Sequence, residues 1–378
     1  MAGIGYMDLQ SGGGFTQVGE SRAWNFQQGA MLQWVPGRGR QIVFNDRSGT
    51  RAIGVVLDLD SGRQRTLEGP IATLSHDGRT ALGVNFGRLN LASAGYGYAG
   101  VEDAFAQEAC PSGDGIWTVD LETGRARLLL SMRDVASFGE HGDVPGAFHW
   151  FNHLLFNPSD HRFCFLHRFR NPAGTTYTRL LTCNRDGSGL RVLLGGMASH
   201  FDWRTEDELV IWAGERKLLD STVHGAARKL PVGQMLRFVY RALGKPRFLK
   251  QRLLKDHYLV LNDRLGTKQV LSHPLLSSDG HCSFSPDRKW MVTDTYPDRS
   301  RRTCLMLYKW ETGEAFEVAW ATSPPELEDA VRCDLHPRWS TDGKRICIDS
   351  ADDGHRQMHV LDVSNIVTTT SEVSAIDQ

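Results

Sequence analysis

A single turn, repeated along the chain, limits the fold more than any other feature of this sequence. A short apolar stretch, a Ser/Asn/Pro–Asp/Gly turn and a following apolar strand recur as VPGRGRQIVF (35–44), LSHDGRTALGV (74–84), FNPSDHRFCFL (156–166), FDWRTEDELVIW (201–212), FSPDRKWMVTD (284–294) and WSTDGKRICID (339–349). Turn residues between apolar runs read as hairpins. Most copies are followed by a second hairpin with a different turn, as in GVVLDLDSGRQRTL, IWTVDLETGRARLLL and CLMLYKWETGEAFEV. Two hairpins make a four-stranded sheet, and such a sheet recurring every ~40–50 residues is the sequence mark of a β-propeller blade. The expected fold is all-β, a β-propeller over residues 1–378. Six units are counted directly, and seven blades are favoured because the spans 84–116 and 131–150 have room for another.

Composition adds mostly exclusions. The formal net charge of −1 over 378 residues gives no electrostatic case for a nucleic-acid partner. Seven cysteines, an odd number without repeated spacing, do not make a disulfide framework and point to a reducing compartment. No apolar run approaches membrane-spanning length, and MAGIGYMDLQSGGGF has neither a basic nor an apolar leader region. The expected location is cytoplasmic, or periplasmic if a signal peptide has been removed. No G-x-S-x-G, P-loop or dinucleotide glycine motif is present, and SAGYGYAG (93–100) reads as loop.

One segment departs from the repeat. Residues 215–268 hold 13 Lys or Arg against 4 Asp or Glu, a net of +9, which leaves −10 for the remainder. Within it, PVGQMLRFVYRALGKPRFLKQRLL reads as a basic amphipathic helix interrupted near Pro246, an insertion in the fourth unit. Such a helix either faces a polyanion or membrane surface or packs on the propeller with its charges solvated.

The histidines fall into a pattern. With Asn157, Trp203, Ser285 and Ser340 taken as equivalent first turn residues, the positions four earlier are His153, Ser199, His281 and His336, and His200 adjoins the second of these. In a propeller the strand entering this turn is the innermost, so equivalent slots in different blades converge near one mouth of the central channel. A lone inner-strand histidine usually serves as a hydrogen-bonded core residue. Here Cys282, Cys333 and Asp334 lie beside His281 and His336, and imidazole with thiolate or carboxylate is a normal shell for zinc or manganese. A divalent metal is therefore expected on His281 and His336, with Cys333, Asp334 and Cys282 as candidate third ligands. Strand parity puts Asp334 on the face of His336 and turns Cys333 away. A second cluster, FHWFNHLLFNPSDHRFCFLHRFR, brings His149, His153, His167 and Arg168 towards the same mouth, a set suited to proton transfer beside an anion, with His161 exposed in the turn.

These segments resemble the oligogalacturonate lyases and, more loosely, other propeller polysaccharide lyases of the ulvan lyase type. GHCSFSPD resembles the segment carrying a metal-binding histidine, LHPRWSTDG the later segment with further ligands, SHFDW the one with the catalytic histidine, and YTRLL the one with a substrate-facing arginine. The resemblance spans about residues 25–363. It implies His281 and His336 as ligands, His200 as general base and Arg179 as carboxylate partner. It also implies β-elimination on an acidic oligosaccharide or polysaccharide. The family's ligand set includes a glutamine and a further histidine near the last turn, where this chain has Cys333, Asp334 and Arg338.

In such a reaction a base takes the proton next to the uronate carboxylate, a cation neutralises that carboxylate, and an acid assists the departing oxygen. His200 or His153 fits the base, Arg179, Arg168 or the metal the electrophile, and a tyrosine or water the acid. The competing reading is a non-catalytic propeller of the TolB or WD type that binds a protein or peptide at the channel mouth. Such a protein has no reason to gather histidines in one slot.

Overall fold

The computed structural model describes residues 1–9, 14–140, 142–214 and 256–368. Their main regular structure is strand, and the strands follow the hairpin repeat. The described residues divide into two compact units, one within 1–196 and the other from 197 onwards.

The first unit opens with a hairpin of β1 (Ala2–Tyr6) and β2 (Thr16–Ser21). Blade 1 is β3 (Gln33–Trp34), β4 (Gln41–Ser48), β5 (Arg51–Asp58) and β6 (Gln64–Leu67), paired antiparallel in that order. Blade 2 is β7 (Thr73–Leu74), β8 (Thr80–Gly83), β9 (Gly115–Asp120) and β10 (Ala126–Ser131), and blade 3 is β11 (Phe148–Phe156), β12 (Arg162–Arg170), β13 (Thr176–Asn184) and the start of β14 (Arg191–Trp203). The second unit takes the rest of β14 as the first strand of blade 4, followed by β15 (Glu208–Gly214), β16 (His257–Asn262) and β17 (Lys268–Leu271). Blade 5 is β18 (Ser283–Phe284), β19 (Trp290–Asp294), β20 (Arg302–Lys309) and β21 (Ala315–Thr322). Blade 6 has three strands, β22 (Arg338–Trp339), β23 (Arg345–Ser350) and β24 (Gln357–Asp362).

Among the described residues the blade sheets are thus the six that the repeats count directly. The two spans with room for a seventh hold helices and loops instead. α1 (Phe86–Ala92) starts at Asn85, whose side chain accepts from the Arg88 N–H, and α2 (Met132–Ser137) starts at Ser131, whose hydroxyl accepts from the Asp134 N–H at 3.0 Å. Both are standard N-caps. The basic stretch 215–255 lies outside the described residues. The last part of the basic region belongs to blade 4, since His257–Asn262 and Lys268–Leu271 are its outer strands.

In blades 2, 5 and 6 the first turn of the repeat is built by side chains. Ser285 Oγ donates to Asp287 at 2.6 Å and accepts from the Trp290 N–H at 3.0 Å, while Asp287 accepts from the Lys289 N–H at 3.1 Å. Ser340, Asp342, Lys344 and Arg345 repeat this arrangement, as do Ser75, Asp77, Arg79 and Thr80. The second turn uses Asp120, which accepts from Thr123 N–H and hydroxyl at 2.7 and 2.9 Å. These are Asx-type turns in which a short side chain replaces backbone partners.

Packing is between neighbouring sheets. In the second unit, Val210, Trp212, Tyr258, Phe284 and Met291 form one buried cluster and Trp290, Val292, Leu305, Leu335, Ile346 and Ile348 another. Alternation along β19 sends Met291 into the first layer and its neighbours Trp290 and Val292 into the second, so the strand is buried on both faces.

Candidate metal and catalytic site

The turn geometry first corrects the alignment of the slots. Ser285 N–H donates to Trp290 O, five residues on, and Asn157 and Ser340 make the same five-residue closure with Arg162 and Arg345. In blade 4 the closure runs from Arg204 to Glu208, one residue shorter. Register agrees, since Trp203 faces Leu209 as Phe284 faces Met291. Arg204, not Trp203, is the equivalent of Ser285, so His200 and not Ser199 fills the slot. Three successive blades of the second unit carry a histidine at one structural position: His200, His281 and His336.

These three imidazoles stand together. The His200 and His281 ring centroids are 4.0 Å apart, and those of His281 and His336 are 4.2 Å apart. Each ring also faces a carboxylate at Nδ1. His200 Nδ1 is 3.0 Å from Asp279, His281 Nδ1 is 3.0 Å from both oxygens of Asp294, and His336 Nδ1 is 3.8 Å from Asp349. For His200 and His281, whose contacts are hydrogen bonds, the carboxylate acceptor holds the proton on Nδ1 and leaves the Nε2 lone pair for a metal or a substrate proton. For His200 that nitrogen lies 3.5 Å from the Tyr296 hydroxyl.

Asp294 organises the centre. It is 1% exposed, and besides the His281 ring it accepts the His281 backbone N–H at 2.6 Å and the His336 backbone N–H at 3.2 Å. Gly280 permits this approach, because a Cβ there would lie 1.7 Å from the Asp294 carbonyl oxygen. Asp294 and Asp349 occupy the same place in β19 and β23, two residues beyond Val292 and Cys347, which pair with Ser283 and Arg338.

Charge is distributed unevenly over the set. Burial opposes a proton on His281, but Asp294 beside it prevails and raises its pKa above the ordinary imidazole value. Burial and then the neighbouring His281 lower His200, against the pull of Asp279. Burial and His281 likewise push His336 well below the ordinary value. Burial works to raise Asp294, yet the His281 imidazole outweighs it and holds the carboxyl below its usual range.

Ligand atoms of His281, Asp334 and His336 all lie within 4.8 Å of one another. Two imidazoles and a carboxylate suit zinc or manganese, and the hydrogen bond from His281 to Asp294 is the outer support that metal-ligating histidines use. The donor set therefore fits a divalent ion. Both oxygens of Asp334 also accept from Arg332, at 2.5 and 2.6 Å, and the Arg332 guanidinium lies 4.6 Å over the Tyr296 ring.

The cysteines do not join this group. Cys282 is 7% exposed and packs in the layer with Trp212, Tyr258 and Phe284, where burial raises its thiol pKa well above the ordinary value. Cys333 is buried as well, and burial raises its thiol pKa.

The second histidine cluster belongs to blade 3 in the first unit, and most of it is core. Arg179 is fully buried. Its guanidinium donates to the carbonyls of Val135, Phe138 and Glu140 at 2.6, 2.8 and 3.1 Å and to His167 Nδ1 from Nε and Nη2. All five N–H donors are engaged, so Arg179 has none for a substrate carboxylate, contrary to the expectation from YTRLL. His167 then donates from Nε2 to His149 Nδ1 at 2.9 Å. Burial, followed by Arg88, Arg179 and Arg133, lowers His149 to about 3, and burial with Arg179 puts His167 well below its ordinary value. Neither is placed for proton transfer to a ligand: His167 is wholly buried and His149 is 2% exposed. Arg168 pairs with Trp150 and Thr178, which puts it on the other face of the sheet from His167. His153 occupies its slot with its ring edge-on to Tyr96, 5.4 Å between centroids. His161 is exposed, as the turn suggests.

Sequence reasoning missed Asp279, Asp294, Asp349 and Tyr296. The signal for two of them was present, since FSPDRKWMVTD and WSTDGKRICID both end in the aspartate that supports a slot histidine.

No family model and no curated protein matches this chain. Solved structures do. An oligogalacturonate lyase in complex with manganese is 13% identical, with 96% of each chain covered and a TM-score of 0.51. An oligogalacturonate lyase from Vibrio parahaemolyticus is 11% identical over 92% of each chain, with a TM-score of 0.48. The β-propeller domain of the Trilobed protease from Pyrococcus furiosus is 12% identical, with 88% of this chain and 80% of that one covered and a TM-score of 0.47. At such identities the likeness is one of fold: the chain is a β-propeller, similar over nearly its whole length to oligogalacturonate lyase.

Proposed function

We propose that this protein is a metal-assisted lyase that cleaves uronate-containing oligosaccharides by β-elimination. The observation that carries the reading is the gathering of His200, His281 and His336 from one slot in three successive blades, with His200 and His281 hydrogen-bonded to carboxylates and Asp334 completing three donors with His281 and His336. The bound manganese of the oligogalacturonate lyase neighbour supports it.

In this reading His281, Asp334 and His336 would hold the ion, and a bound ion would supply positive charge that neutralises the uronate carboxylate and acidifies the adjacent C–H. His200 takes that proton on Nε2, with Asp279 fixing its tautomer and stabilising the imidazolium that forms. Its lowered pKa keeps it neutral and competent as a base near pH 7. The C–H electron pair becomes the new C=C bond, the glycosidic C–O bond breaks, and the departing oxygen receives a proton from Tyr296 or water. Arg332 positions the site by holding Asp334 and covering Tyr296.

The test is incubation with a panel of uronate oligosaccharides, with and without added Mn²⁺ or Zn²⁺, followed by ultraviolet absorbance of an unsaturated product. Absorbance growth that a chelator abolishes supports the reading. No product from any member of the panel, with the protein folded and loaded, refutes it.

A further inference from the structure

An ion can neutralise a substrate carboxylate, but selecting a free acid also takes directed N–H donors, and Arg179 in blade 3 has none to give, being consumed by carbonyls and His167. Two arginines adjoin the site in the second unit. Arg332 is committed, with Nε and Nη2 both on Asp334 and its plane against Tyr296. Arg338 is different. It lies two residues beyond His336 at the start of β22, and only Nη2 is engaged, with Asp349 Oδ1 at 2.8 Å and Cys347 Sγ at 3.7 Å. Its Nε and Nη1 have no partner among the described residues, and its side chain is 51% exposed. Asp349 takes one Nη2 hydrogen and only the weak thiol contact of Cys347 meets Nη2 besides, so a carboxylate that displaces the thiol gains a two-donor edge of the fork. The other Asp349 oxygen lies 3.8 Å from His336 Nδ1, so the carboxylate that anchors the guanidinium also stands close to the imidazole.

We infer that Arg338 reads the carboxylate of the substrate, taking it on its Nε or Nη1 side with the Nη2 hydrogen that the Cys347 thiol gives up, next to His281 and His336; this rests on the lyase reading above. A guanidinium fork matches a carboxylate in two parallel N–H···O bonds, and an anchored fork loses little freedom on binding. Asp349 is the positioning residue, and the selectivity predicted is for the free acid over its ester.

The experiment uses the full chain loaded with Mn²⁺ and titrates tri-galacturonate and its methyl ester by calorimetry. Arg338→Ala should weaken binding of the acid by about 10- to 100-fold, the loss expected for hydrogen bonds to a charged group, leave binding of the ester unchanged, and leave Mn²⁺ stoichiometry unchanged. Arg338→Lys keeps the charge and the Asp349 pair but not the fork, and should recover only part of the loss. Equal acid binding by the wild type and Arg338→Ala overturns the assignment and leaves the lyase reading intact. A wild type that cleaves no uronate and binds neither probe refutes the lyase reading and the assignment with it.

Discussion

Replacing Asp294 by Asn tests whether one buried carboxylate holds two blades' histidines in place. The substitution keeps the shape of the side chain and removes its charge. Asp294 accepts from the His281 backbone, the His281 ring and the His336 backbone. An amide can keep one of these on its oxygen, and its NH₂ then faces N–H groups that need an acceptor. Hydrogen bonds to a charged group contribute about 1.5–3 kcal/mol each, and removing one member of a buried ionic pair costs about 3–5 kcal/mol. A loss of about 3–4 kcal/mol follows, or roughly 6–16 °C in Tm at about 2–4 °C per kcal/mol. Differential scanning calorimetry and urea unfolding at pH 7 measure it. Loss of the outer support should also weaken divalent ion binding by about 10- to 100-fold. A destabilisation below about 1 kcal/mol with unchanged ion affinity would refute the reasoning, because Asp294 would then be a replaceable spacer.

Three further outcomes are expected. His200→Ala should lower turnover on an identified uronate by roughly 10²- to 10⁴-fold while ion content stays the same, and a parallel loss of ion would make His200 a ligand instead. Asp334→Asn should weaken ion binding, whereas Cys282→Ala and Cys333→Ala should leave its stoichiometry unchanged by elemental analysis; a thiol variant that loses the ion would reverse the assignment. His149 and His167 have folded pKa values below the unfolded value of about 6.5, so the unfolded chain binds protons first as pH falls. Their contribution is intact above about pH 6.5 and is lost below it, by about 2 kcal/mol for each by pH 5. Urea unfolding at pH 7 and 5 should show this drop, and a flat profile would contradict it.

The repeat itself was legible in the sequence because its turns depend on local chemistry: Ser285 with Asp287, or Asp120 with Thr123, close their loops without help from the rest of the fold. His281 and His336 were legible for the same reason, since counting four residues back from a Ser turn finds them. His200 was displaced by one place because the Arg204–Glu208 turn is a residue shorter than its counterparts, a difference visible only in backbone pairing. Arg179 was misread because its partners are carbonyls near the end of α2, some 40 residues earlier in the chain. Local pattern reports what a side chain is, whereas its use is set by whichever distant backbone reaches it first.

The slot has a backbone peculiarity with a consequence for stability. Met31, His153 and His336 hold this position in blades 1, 3 and 6, and all three have left-handed backbone, with φ of 54°, 51° and 43°. For a residue with a Cβ that conformation costs roughly 1–2 kcal/mol, and glycine avoids most of the cost. His336 therefore sits where its side chain is expensive, an arrangement that persists when a site is kept for what it does. Selection for heat resistance alone would favour glycine at His336, so a histidine kept there marks a position held against stability, as the proposed ion binding would require.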